Sequence, residues 1–420
     1  MHRTIAEKIL QVHTDQKITG PGQIVRCKLS LVLANDITAP LAIKSFREMG
    51  ATSVFDKDRV VFVCDHFTPN KDIDSAEQVA VTRRFAEEMG ITHYYEGGNC
   101  GIEHALLPEE GLVGPGDLII GADSHTCTYG GLGAFSTGMG STDIAAGMVL
   151  GENWFKVPSS IRINIHGKME KFVQGKDVIL KLIGIIGVSG ALYKALEFGG
   201  SGVEKMSVES RLTIANMAIE AGGKAGLFPA DKKTLKYTSR SAALRDDEEI
   251  KPDKFAVYES EVDMDLKGMA PQVALPHLPE NVKGVDEIDE IPIHQAVIGS
   301  CTNGRIEDMR AAAEILRGRI VDRHVRCIII PATPRVWREC VHEGLMQVFI
   351  DAGAIISPPT CGPCLGGHMG IIAKGERAIS TTNRNFRGRM GALESEVILS
   401  NPAVAAASAV TGLVTDPRRL

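Results

Sequence analysis

The sequence predicts an α/β fold in three domains, and three observations carry that expectation. Short β-branched runs recur, each followed by a turn rich in glycine or proline and then by a helical pattern, the alternation found in layered α/β proteins. Two charged stretches, 240–255 and the proline-rich 275–292, read as connections, and boundaries near 160 and 288 give units 1–160, 161–287 and 288–420. A chain of 420 residues, 44% hydrophobic and 23% charged, is long enough to bury the cores of two or three domains.

The elements follow in order. "MHRTIAEKIL" has an amphipathic pattern and lacks the apolar core of a secretory signal. "RVVFVCDHF" (59–67), "DLIIGADSHT" (117–126), "IHQAVIGSCTNG" (293–304) and "HVRCIIIPATP" (324–334) are nearly continuous apolar runs, as in parallel strands buried on both faces. A helix over 75–90 is expected to be capped by Ser75, with Glu77 and Gln78 in its first turn, and to end at Gly90. Another spans 305–318. Residues 397–415 read as a short strand and an Ala-rich helix with Asn401 as N-cap and Pro402 at its first position, too polar and interrupted to span a bilayer.

A net charge of −6 creates no global field for nucleic acid or an anionic membrane, and the expectation is a soluble, cytoplasmic chain. Nine scattered cysteines without a secretory signal argue against a disulfide framework and leave metal binding or buried thiols. Polar residues cluster where strands end: Asp65-His66, Asp123-Ser124-His125, and Ser300 to Asn303. Ligand sites in α/β sheets lie beyond the carboxyl ends of strands, so these ends are candidates for one pocket.

The run "SPPTCGPCLGGHMG" (357–370) holds Cys361 and Cys364, and Cys301 stands in "GSCTNG". Alone, the pair is equally a thiol-bearing turn. Three thiolates would leave an open metal position for substrate or water, whereas His368 as a fourth ligand would close a structural zinc site. Cys64 and Cys127 read as small buried hydrophobes, and Cys27, Cys100, Cys327 and Cys340 as structural. "NRNFRGR" (383–389) carries three arginines and no acid, either a solvated basic loop or a bidentate carboxylate clamp. Asp65-His66 reads as a carboxylate orienting an imidazole. Asn216 and Glu220 stand four apart, on one helix face, surface polar residues on sequence alone.

Taken in order, "VCDHFTPN", "GNCGIEHALLPEEG", "IIGADSHTCTYGGLGAFSTGMGSTD", "GSCTNGR", "CGPCLGG" and "TTNRNFRGRMG" resemble the successive motifs of the aconitase superfamily over nearly the whole chain. The branch most similar isomerises isopropylmalate, with the homoaconitase branch close to it. The resemblance implies three α/β domains around a central site, without the fourth, swivel domain. It implies one [4Fe-4S] cluster per chain held by Cys301, Cys361 and Cys364, one iron being open, and His368 then drops out as a ligand. Asp65 and His66 are the expected donor to the departing hydroxyl, and His104 and His125 the site histidines. Asp123 and Ser124 are expected near the substrate, and Asn216 and Glu220 near the cluster and a histidine. Asn383, Arg384 and Arg389 are expected to bind substrate, whereas Arg387 has no such role. Asn35 stands where aconitases place a substrate-binding glutamine, which points away from citrate.

The implied activity is a hydro-lyase that interconverts 2-isopropylmalate and 3-isopropylmalate in leucine biosynthesis; homoaconitase, citramalate or 2,3-dimethylmalate chemistry are the alternatives. The family's base, a serine beside arginines on the swivel domain, has no counterpart in the 31 residues after Arg389, and Ser239-Arg240 leads into a charged connection. A separate small subunit is therefore expected to bring that domain with its catalytic Ser and Arg. Two readings come from other classes. The acidic charge and lack of a basic stripe speak against an RNA-binding regulator. A zinc-stabilised scaffold is decided by metal analysis.

Overall fold

The computed structural model describes residues 2–238 and 250–420. Ser239-Arg240 and most of the expected connection 240–255 therefore lie outside the described residues. Three sheets organise the chain. The first is parallel, in the order His93–Tyr95, Val60–Val63, Leu31–Asn35, Leu118–Gly121, Phe135–Gly138. The second is parallel, in the order Ala225–Leu227, Ala195–Gly199, Ser160–His166, Ser260–Asp265. The third has seven strands: Val282–Gly284, Gln272–Ala274, Glu396–Leu399, Arg377–Ser380, Gln295–Ile298, Arg326–Ile329 and Ile355–Ile356. Its first two strands are antiparallel and the other five run parallel. Val282–Gly284 thus turns part of the expected connection 275–292 into an edge strand. A separate antiparallel ribbon pairs Ile24–Lys28 with Glu152–Lys156.

Central strands such as Val60–Val63, Leu118–Gly121 and Gln295–Ile298 are buried at every position, because helices cover both faces of a parallel sheet. The first sheet packs Val32, Phe62 and Ile120 into one core, and Leu33, Val61 and Ile119 into another on its far side. Helix boundaries follow local chemistry. Ile5–Val12 begins with a reciprocal box between Thr4 and Glu7, and the buried Glu197 carboxylate accepts from Ile5 N and Ala6 N at 3.0 Å each. The helix Ile73–Met89 starts three residues earlier than the sequence suggested. Asp72 is its cap, accepting from Ser75 N at 2.8 Å, while Ser75 Oγ accepts from Asp72 N. Gly90 ends it at φ 65°, and Asn401 caps Pro402–Thr411 as expected. Among the described residues no helix is long and apolar enough to cross a membrane.

Candidate active site

Six parallel strands, three from the first sheet and three from the third, end around one cavity of about 210 Å³. Leu31–Asn35 delivers Asn35, Val60–Val63 leads into Asp65 and His66, and Leu118–Gly121 leads into Asp123 and His125. From the third sheet, Gln295–Ile298 leads into Cys301, Ile355–Ile356 into Cys361 and Cys364, and Arg377–Ser380 into Asn383 and Arg384. The turn at Cys301 is strained: Gly299 lies at φ 149° and Ser300 at φ 75°, where a side chain is costly. Ser300 Oγ holds the turn through Thr302 Oγ1 at 2.6 Å.

Imidazole–carboxylate pairs surround the cavity. His66 Nδ1 lies 2.7 Å from Asp65 Oδ1, and Asp36 accepts from the backbone N–H groups of His66 and Phe67. Burial alone would push the His66 imidazolium down, but Asp65 and Asp36 outweigh it and hold its pKa well above the ordinary histidine value. His104 Nε2 lies 2.9 Å from Asp123 Oδ1 and its Nδ1 3.1 Å from the Tyr129 hydroxyl, and burial keeps this histidine below its usual pKa. His125 Nε2 lies 2.9 Å from Glu220 Oε1; burial opposes its protonation, but Asp123 and Glu220 raise it. Asp123 is pushed up by burial, yet its hydrogen bonds with His104 and His125 hold it well below the carboxylate range.

Arginines line the opposite side. Arg384 Nε donates to Glu220 Oε1 at 2.8 Å and its Nη2 to Ser124 Oγ at 2.9 Å. Arg389 Nη2 lies 3.7 Å from Cys364 Sγ, and its Nε has no hydrogen-bond partner among the described residues. Arg387, in the same loop, is exposed.

The three thiols line the same cavity and form no disulfide. Asn216 Nδ2 donates to Cys301 Sγ at 3.2 Å and Asn383 Nδ2 at 3.4 Å. Cys361 and Cys364 are in mutual hydrogen-bonding contact, and with Arg389 nearby Cys364 is the thiol whose ionised form is favoured. A buried set of soft donors, with N–H groups aimed at two of the sulfurs, fits a thiolate-held iron group. His368 is absent from the lining, and its Nε2 bonds the Pro69 carbonyl at 2.7 Å. Cys27, Cys64, Cys100, Cys127, Cys327 and Cys340 are buried outside the cavity, their thiols pushed up by burial.

The expected shared helix face changes. Asn216 and Glu220 do not share an α-helix face, because the helix Val208–Asn216 ends there and Glu220 lies in the 3-10 turn Met217–Ala221. Nor are they surface residues: Asn216 is 0% and Glu220 5% exposed. Asn35 lines the cavity with its polar atoms already engaged. Its Oδ1 accepts from Ile37 N, Thr38 N and Thr38 Oγ1, and its Nδ2 donates to Glu103 Oε1 at 3.2 Å.

Three contributors were missed. Asp36 and Glu103 stand directly beside residues that the motifs did mark, Asn35 and His104, and adjacency was the only signal. Lys176 carries no signal at all. It is fully buried, and its Nζ donates to the carbonyls of Thr381 at 2.6 Å and Thr382 at 2.7 Å and lies 3.3 Å from Asn303 Oδ1. It thereby ties the Cys301 turn to the turn that presents Asn383 and Arg384.

Comparison with known proteins gives the family of the chain. The family model described as "Aconitase family (aconitate hydratase)" matches residues 7–290 and 283–412. The chain is 67% identical over 420 residues to the 3-isopropylmalate dehydratase large subunit of Oleidesulfovibrio alaskensis, and 66% identical over 420 residues to that of Nitratidesulfovibrio vulgaris. Both alignments cover 100% of each chain. Among solved structures, holo-form aconitase X of Thermococcus kodakaraensis superposes with a TM-score of 0.52 at 13% identity, covering 96% of this chain and 94% of that one, a likeness of fold. A family match across almost every element and full-length relatives at this identity lead to one conclusion: the chain belongs to the aconitase family.

Proposed function

We propose that this chain is the large subunit of a hydro-lyase that interconverts 2-isopropylmalate and 3-isopropylmalate by dehydration and rehydration, in leucine biosynthesis. The observation that carries the reading is the convergence, in one cavity, of Cys301, Cys361 and Cys364 with Arg384, Arg389 and three imidazole–carboxylate pairs. Full-length relatives named for that reaction agree with it. Those three cysteines would hold a [4Fe-4S] cluster, which when bound supplies one open iron as a Lewis acid for the substrate hydroxyl.

The chain's own residues account for most of the remaining work. Arg384 and Arg389 bind the substrate carboxylates through forked, charge-assisted hydrogen bonds. His66 holds a proton on Nδ1 toward Asp65 and presents a second, on Nε2, for the departing hydroxyl. Glu220 spans Arg384 and His125, fixing both orientations. His104, kept from protonation by burial, orients Asp123, with Ser124 beside the substrate. Asn216 and Asn383 stabilise thiolate charge on Cys301. The base that removes the carbon proton is assigned to a small subunit carrying a serine and arginines, consistent with relatives named as large subunits.

The test is anaerobic purification followed by metal analysis and turnover. The chain should carry iron and sulfide at about four each. It should turn over 2-isopropylmalate only with a cognate small subunit, with activity rising until the two are equimolar. Zinc without iron would sink the cluster assignment, and robust catalysis by the isolated chain would remove the need for a partner.

A further inference from the structure

Glu103 is a buried acid that the roles above leave unused. It is 1% exposed, opens the helix Glu103–Glu109 and lines the same cavity as His66, His104, Asp123 and Arg384. Its backbone N–H donates to Asp65 Oδ2 at 2.8 Å, which fixes its place against the His66 pair. Its Oε1 accepts from Asn35 Nδ2 and lies 3.5 Å from His104 Nε2. The other oxygen, Oε2, is buried and has no hydrogen-bond partner among the described residues. No arginine or lysine pairs with Glu103 there either.

A buried carboxyl oxygen without a hydrogen-bonding or arginine or lysine partner favours the neutral acid or a ligand contact. Burial first, then the nearby Asp65 and Asp123 carboxylates, hold Glu103 well above the carboxylate range. A neutral carboxyl has one O–H to give, and the second oxygen of Glu103 has no hydrogen-bond partner among the described residues. Glu103 lines the cavity, so a bound ligand can supply the acceptor. His66 and Asp123, whose polar atoms lie within 4.8 Å of a Glu103 oxygen, are already paired with Asp65 and His104, and Asn35 has committed its own polar atoms inside the protein.

We propose that Glu103 is a further substrate-binding residue, donating a hydrogen bond from its free carboxyl oxygen to an oxygen of the bound hydroxy diacid, with Asn35 as the positioning residue behind it. The proposal rests on the hydro-lyase reading and assigns a contact within it. Asn35 acts through Glu103, so the position where a glutamine would touch substrate is here filled by an acid backed by an amide.

The experiment uses the cluster-loaded complex of this chain with its small subunit, and reads KM and kcat for 2-isopropylmalate together with cluster absorbance and Tm. Glu103→Gln keeps an N–H donor at the same place and should hold KM within about threefold of native, whereas Glu103→Leu should raise it at least about tenfold with cluster absorbance unchanged. Asn35→Ala, which frees the acid from its anchor, should raise KM by an intermediate factor and serves if the leucine variant fails to fold. Native KM in both Glu103→Leu and Asn35→Ala would overturn the contact. So would a glutamine variant as impaired as the leucine one, which would mark a purely structural acid. A native complex without isopropylmalate turnover would overturn the underlying reading, and this contact with it.

Discussion

Arg384 and Arg387 stand three positions apart in one loop and meet opposite environments. Arg384 is held by Glu220 and Ser124 at the cavity wall, while Arg387 is exposed. A lysine at 384 offers one compact ammonium where the guanidinium spans two partners and a carboxylate. Arg384→Lys should therefore lower kcat/KM by roughly 100-fold, about 3 kcal/mol, with cluster absorbance unchanged. Arg387→Lys should stay near native in the same assay. Equal effects at the two positions would show that the loop is not an oriented clamp. On sequence alone a solvated basic loop was the favoured reading, because three arginines in seven residues do not reveal which of them turns inward.

At the scale of elements, the segment Ser124–Leu132 carries the Asp-Ser-His run into place by backbone contact. A Cβ on Gly131 would lie 2.7 Å from the backbone N and Cα of Leu212, in the helix that ends at Asn216. One on Gly130 would overlap the Gly226 carbonyl in the second sheet. Gly131→Ala should force these elements apart, at a cost of about 2–3 kcal/mol, and loosen the pairing of His125 with Glu220. A lowered Tm with reduced turnover is the expected result, and a native Tm would show that the segment gives way without strain. The local signals around such elements were legible: buried strands, the cap at Asn401 and the stop at Gly90 all follow from neighbouring residues. Ser75 was misread because Asp and Ser are both good caps, and the backbone donors of the first turn decide between them. The break in the helix after Asn216 was not legible, since no glycine or proline stands between Asn216 and Gly222 to mark the change to three residues per turn.

For the whole molecule, the α/β class and the strand-end clusters could be read from the chain because parallel strands flank their own helices and turns. The identity of the neighbours across the cavity could not. Lys176 joins two turns of the third sheet from a helix in another part of the chain, and no local pattern distinguishes it from a surface lysine. Arg384 and Ser124 meet across 260 residues of sequence, and Thr360 bonds the Asp65 carbonyl across 295. Contacts this distant in sequence are slow to form, because loop closure is lost before any contact repays it. The cavity walls are thus among the last parts of the molecule to assemble, since Asn383 and Arg384 follow the strand Arg377–Ser380. A chain ending after Gly375, which keeps all three cysteines, should hold no cluster under conditions that load the full chain, and a stable cluster on it would show that the cysteine turns organise themselves. Until that last sheet closes, the turn of Cys361 and Cys364 lacks the contacts that Asn383 and Arg389 make with Cys364.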